Sequence, residues 1–86
     1  MNAKFSDGGR EEFLGLASQL QEFFKNHLEK LVQMPPRRHL RFGIPFHVEN
    51  VTKQARLVYE IEGGDLVVLH CFATHKDYEK WFKSFK

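Results

Sequence analysis

Two glycines, Gly63 and Gly64, stand between a run of alternating apolar residues and a run that is apolar almost throughout: "ARLVYEIEGGDLVVLHCF". A two-residue Gly-Gly connection between such runs is a tight hairpin signal, because both turn positions must adopt positive φ, which glycine does at no steric cost. The reading pairs Glu62 with Asp65, and counting outward sets Leu57 opposite His70 and Arg56 opposite Cys71. In the first strand Ala55, Leu57, Tyr59 and Ile61 share one face, and Arg56, Val58 and Glu60 share the other. The second, from Leu66 to Phe72, is apolar on both faces, the mark of a central strand covered on both sides. The preceding "PFHVEN" alternates as well and predicts a third antiparallel strand, with Phe46 and Val48 inward and His47 and Glu49 outward.

Upstream the period is helical. Phe13, Leu16, Ala17, Leu20, Phe23, Phe24, Leu28, Leu31 and Val32 recur at intervals of three and four. Ser18 followed by Gln21 forms an S-x-x-Q capping box, so the pattern predicts two packed helices, about 9–17 and 19–33. "SDGG" reads as punctuation before them, and "MPPRR" as the stop after them. The short "NAKFS" predicts an opening edge strand. At the other end Thr74 is an N-cap, with Asp77 three residues on, for a closing helix that sets His75, Tyr78 and Trp81 along one face.

The expected architecture is a single α+β domain over residues 1–86: a small antiparallel sheet, an N-terminal helical pair on one face and a short C-terminal helix. The other face is expected to display Arg56, with His47 and Glu49, beside the last helix. Eighty-six residues with 42% hydrophobic content support one modest core. A lone cysteine, Cys71, permits no internal disulfide and points to a reducing, cytoplasmic setting. No apolar run approaches the roughly 18 residues that cross a membrane, and the N-terminus lacks the apolar core of a signal peptide.

The net charge of +2 is unevenly spread. Residues 34–57 hold Arg37, Arg38, Arg41, Lys53 and Arg56 against Glu49 alone, a net of +4, whereas each flank is −1. Such a basic segment suits a polyanion, and equally describes a solvated loop. Metal binding finds no support: the histidines at 27, 39, 47, 70 and 75 show no H-x-x-x-H spacing, and there is no C-x-x-C. No cofactor motif is present, neither a P-loop nor G-x-G-x-x-G. His70 reads as a hydrogen-bonded core or boundary residue. What remains is a group of basic and protic side chains: Arg56, Lys53, His75 and Tyr78. Cleavage of RNA through its own 2′-hydroxyl needs a base, a cation for the developing phosphorane charge and an acid for the leaving oxygen. Arg56 suits the second role and His75 or Tyr78 the others. The alternative is that Tyr78 and Trp81 pack the last helix on the sheet while His75 faces solvent.

The segments "FLGLASQLQEFFKNHLEKLVQMP" and "ARLVYEIEGGDLVVLHCFATHKDYEKW" resemble the RelE/ParE superfamily of type II toxins. The features that carry the likeness are the helical pair ending in proline, Arg56-Leu57-Val58-Tyr59, the Gly63-Gly64 turn, Val67-Val68-Leu69, and His75 with Tyr78. The resemblance implies a compact toxin that binds the ribosomal A site and cleaves messenger RNA, neutralised by an antitoxin wrapped around it. In the ParE branch it implies a non-catalytic inhibitor of DNA gyrase, and inactive relatives share the pattern. Arg56, His75 and Tyr78 fall on the family's catalytic positions; Arg37, Arg38, Arg41, Lys53 and Lys76 would hold the RNA backbone.

Overall fold

The computed structural model describes residues 2–33 and 46–84. The elements run β1 (Ala3–Phe5), α1 (Asp7–Leu14), α2 (Ser18–Gln33), β2 (His47–Asn50), β3 (Arg56–Glu62), β4 (Asp65–Phe72) and α3 (His75–Lys83). They build one four-stranded sheet in the order β1-β4-β3-β2. The expected α+β arrangement is present, with one correction to the sheet: β1 lies parallel to β4, Ala3 beside Leu66 and Phe5 beside Val68. The sheet is therefore mixed rather than antiparallel. The cause is connectivity, since the helical pair carries the chain from β1 to the far edge before the antiparallel β2-β3-β4 meander returns to it.

Gly63 and Gly64 have φ of 58° and 86°, the positive values a two-residue hairpin demands. Pairing begins as counted, with Glu62 opposite Asp65 and Tyr59 opposite Val68. It then shifts, because Val58 pairs with His70 and Leu69 is left as an extra residue. The expected partners are corrected accordingly: Leu57 faces Cys71, and Arg56 faces Phe72. A β-bulge of this kind resets the alternation of its strand. Before it, Leu66 and Val68 point to the helical pair; after it, Cys71 does so, while His70 and Phe72 turn to the opposite face.

Both faces are covered. Under α1 and α2 lie Phe13, Phe24, Leu28, Leu57, Leu66 and Val68, among others. Burying each large side chain of this kind contributes about 1.5–3 kcal/mol. On the opposite face Val58, Phe72 and Tyr78 form a second cluster, joined by Phe46, Val48, Trp81 and Phe82. That face was expected to be partly polar, and two positions are corrected. His47 stacks on Tyr59 with ring centroids 5.0 Å apart, and Glu49 lies 3.6 Å from His27 of α2, so both belong to the helical side. Phe46 and Val48 belong to the α3 side, because β2 pairs Val48 with Val58 and thereby takes its phase from β3.

The helical pair divides as expected, with different end chemistry. Ser6 caps α1 by accepting the Gly9 N–H at 3.0 Å, so "DGG" is inside the helix rather than ahead of it. Ser18 is the first residue of α2, and the Ala17 carbonyl accepts the Gln21 N–H at 2.9 Å. The Gln21 side chain turns away from the predicted box and donates to the Phe13 and Leu14 carbonyls at 3.0 and 3.3 Å, closing the end of α1.

Candidate functional site

The start of α3 is built as its sequence predicts. Thr74 has extended backbone, and its Oγ1 accepts the Asp77 N–H at 3.2 Å. His75 is therefore the first helical residue. Its Nδ1 lies 2.7 Å from Glu79, one turn along, and its backbone N–H donates to Gln54 Oε1 at 3.4 Å. The ring is 6.0 Å from Tyr78, which is in turn 6.1 Å from Trp81. Tyr78 is only 5% exposed, and its hydroxyl has no partner among the described residues.

Arg56 opens β3 beneath the loop that joins it to β2. Thr52 Oγ1 accepts the N–H groups of Gln54 and Ala55, and the Val51 N–H reaches the Ala55 carbonyl, which folds residues 51–55 into a tight clasp. Arg56 fills it: Nη1 donates to the carbonyls of Thr52, Lys53 and Ala55 at 3.1, 3.2 and 3.0 Å. The residue is 9% exposed, and Nε has no partner among the described residues. Gln54 belongs to the same clasp, so the loop that seats Arg56 also touches the first turn of α3. Lys53 and Lys76 are exposed nearby. Of the sequence-predicted residues, His75, Lys53 and Lys76 thus reach solvent, while Arg56 and Tyr78 are buried beneath them. Arg37, Arg38 and Arg41 lie outside the described residues.

Farther along α3 is a feature that sequence reasoning missed. An open groove of about 400 Å³ is lined by Ser6, Gly8, Phe46, Glu60, Leu69, His70 and Trp81. His70 is hydrogen-bonded as predicted, and its partner is Glu12 of α1, whose carboxylate oxygens lie 3.1 and 3.3 Å from Nδ1. Glu12 also accepts the Cys71 N–H at 2.9 Å, serving β4 where the three-residue β1 has already ended. Burial, reinforced by Glu62, raises the Glu60 carboxyl above its ordinary range. Burial and then the Glu12 charge push the Cys71 thiol up to about 12. Only the His70-to-Glu12 spacing of 58 residues and an unsignalled bulge join these groups, so no local pattern announces them.

Among the described residues no three His, Cys, Asp or Glu side chains are placed to share a metal ion. No described helix is long and apolar enough to cross a membrane.

No protein-family model matches the chain, and no curated protein sequence does. Solved structures do. A chain of the intact RelBE toxin–antitoxin complex of Escherichia coli is similar with a TM-score of 0.71 at 20% identity, over 83% of this chain and 93% of that one. A YoeB/ParE toxin from Agrobacterium tumefaciens is similar with a TM-score of 0.68 at 14% identity, over 84% and 96%. A metal-bound toxin from Helicobacter pylori follows at 0.62 and 16%, over 90% and 97%. Nearly the whole of each neighbour is matched at low identity, and the α+β sheet with its three helices therefore has the fold of the RelE/ParE-like toxins.

Proposed function

We propose that this chain is the toxin of a toxin–antitoxin pair and cleaves messenger RNA on the ribosome without a metal. The observation that carries the reading is the match to a chain of the RelBE complex over 93% of that chain. Such a reaction needs no ion, since the RNA supplies the nucleophile. In this reading His75 exchanges protons with the substrate, Arg56 neutralises the phosphorane, Tyr78 assists or stacks, and Arg37, Arg38, Arg41, Lys53 and Lys76 hold the backbone. The partner is a small antitoxin. Nη1 of Arg56 is held by three carbonyls while Nε has no partner among the described residues, so the remaining N–H groups, Nε among them, are those left to meet a phosphate. The test is induction of the chain in growing cells, with primer-extension mapping of transcripts on translating ribosomes. Growth arrest with discrete cleavage sites, relieved by the adjacent small reading frame, supports the reading. Intact transcripts from a folded, ribosome-bound protein refute it.

A second reading is favoured by one specific observation. Arg56 is 9% exposed, with Nη1 fully engaged by the protein itself, and Tyr78 is 5% exposed. A non-catalytic binding module, whether directed at gyrase or an inactive relative, needs neither group at its surface. Inhibition of gyrase supercoiling by the purified chain, with no RNA cleaved, distinguishes it.

A further inference from the structure

We propose that His70, oriented by Glu12, is the general base of RNA cleavage in the groove beside Trp81. The inference rests on the messenger RNA reading and relocates its proton-transfer step from the exposed end of α3 to a built cavity.

Three features of the geometry converge. Glu12 bridges the His70 Nδ1 and the Cys71 N–H, so the carboxylate is fixed against the edge of β4 rather than free to swing. A carboxylate only accepts, which assigns the proton to Nδ1 and leaves the Nε2 lone pair available. The ring itself is clamped, parallel to Phe72 at 5.1 Å and tilted on Trp81 at 5.0 Å, yet the side chain keeps 30% of its surface exposed. A histidine that is both immobilised and open to a cavity is suited to proton transfer, since orientation by a carboxylate holds the tautomer and stabilises the imidazolium that forms.

The cavity suits a splayed nucleotide. Trp81 and Phe46, 5.8 Å apart, flank it, and unstacked RNA bases are characteristically taken up on such aromatic surfaces. Phe46 stands five positions after Arg41 in the basic segment of the sequence. His75, in contrast, is separated from the groove by Tyr78 and Trp81, and its Nδ1 is spent on Glu79 of its own helix.

In the step itself Nε2 takes the proton of the ribose 2′-hydroxyl. The 2′-oxygen attacks the adjacent phosphorus, forming a 2′-O–P bond as the P–O5′ bond breaks. The leaving 5′-oxygen takes a proton from water, and the imidazolium returns its proton to the hydroxide. The products are a 2′,3′-cyclic phosphate and a 5′-hydroxyl.

The test uses the full chain on translating ribosomes. His70→Asn keeps a donor near the Nδ1 position, and with it the bond to Glu12, while removing Nε2. We expect its melting temperature to stay near the parent's and its cleavage rate to fall by about 10²-fold or more. Glu12→Gln, a positioning variant, is expected to lower kcat by about tenfold with KM unchanged. If His70→Asn fails to fold, His70→Gln replaces it, since it also lacks a base. A parent that cleaves alongside a His70 variant cleaving equally well overturns the base assignment alone. A folded parent that cleaves nothing overturns both this inference and the RNA reading beneath it.

Discussion

Gly9 of α1 lies so close to the backbone of β4 that a Cβ on it would stand 2.4 Å from the Val68 carbonyl oxygen. The same carbonyl accepts the Ser6 N–H at 2.9 Å, so α1 begins pressed against β4. Neither partner is a flexible side-chain tip, and α1 must lift for any larger residue. Gly9→Ala is expected to cost about 1–3 kcal/mol by overpacking, which for a domain of this size lowers the melting temperature by roughly 4–8 °C per kcal/mol. Gly8→Ala is the control, because nothing lies within 4 Å of its added Cβ. Thermal melting followed by circular dichroism reads both.

Arg56 and His75 are separable by what they hold. Arg56→Ala removes the donor shared by three loop carbonyls and is expected to cost about 1–3 kcal/mol through their loss of a partner, with any cleavage activity falling at the same time. His75→Gln leaves the Thr74 cap intact, so its melting curve should overlay the parent's; cleavage falls about 10²-fold if the proton passes through His75 and keeps the parent's rate if it passes through His70. Equal cleavage by the His75→Gln protein and its parent would remove His75 from the chemistry.

Trp81 joins α3 to the sheet through Phe46, His70 and Phe72, with centroids 5.0–5.8 Å away. Because the ring is half-buried, Trp81→Ala should cost about 2–3 kcal/mol, below the range of a fully enclosed aromatic. Urea unfolding gives the value, and an unchanged midpoint would mean that α3 docks without it.

Cys71 offers a pH-dependent readout. Its thiol is pushed from 9.0 up to about 12 by burial first and the Glu12 charge second. The native state therefore binds this proton more tightly than the unfolded chain does. Its contribution to stability is complete below pH 9 and is lost as the pH climbs from 9 towards 12. Iodoacetamide at pH 8.5 should label the native protein far more slowly than the unfolded one; equal rates would show that the thiol is not sequestered.

The basic segment is tested in solution. RNA affinity should fall steeply with salt, and replacing Arg37, Arg38 and Arg41 by alanine should flatten that dependence by releasing fewer counterions. An unchanged slope in filter-binding measurements would leave those arginines without a role.

Much of this fold is written locally. The Gly63-Gly64 turn, the central apolar strand and the Thr74 cap each rest on a signal within a few residues, and each stands where the spacing puts it. The misreadings concern choices made over long distances. The phase of β2 is decided by pairing with β3, so alternation rightly set His47 and Val48 on opposite faces, while the expectation of Val48 inward and His47 outward is the reverse of what the pairing imposes. Gln21 found carbonyls in α1 instead of its own helix end, a competition that a capping pattern does not register. The groove was invisible for the same reason, since Glu12 and His70 meet only in the folded chain. At the start of α3 the sequence located His75 correctly and overestimated the access of Arg56, because three backbone carbonyls leave no composition signal.

Leu69 is an inserted beat in β4, and its removal would be an in-frame loss of one codon rather than a change of side chain. With Leu69 gone, Val68 and His70 become neighbours and the strand alternates strictly, so His70 stays opposite Val58 on the α3 side and Cys71 opposite Leu57 beneath the helices. The bulge is thus a removable insertion, which a descendant of such a chain can shed by one deletion while the imidazole and the thiol keep their faces.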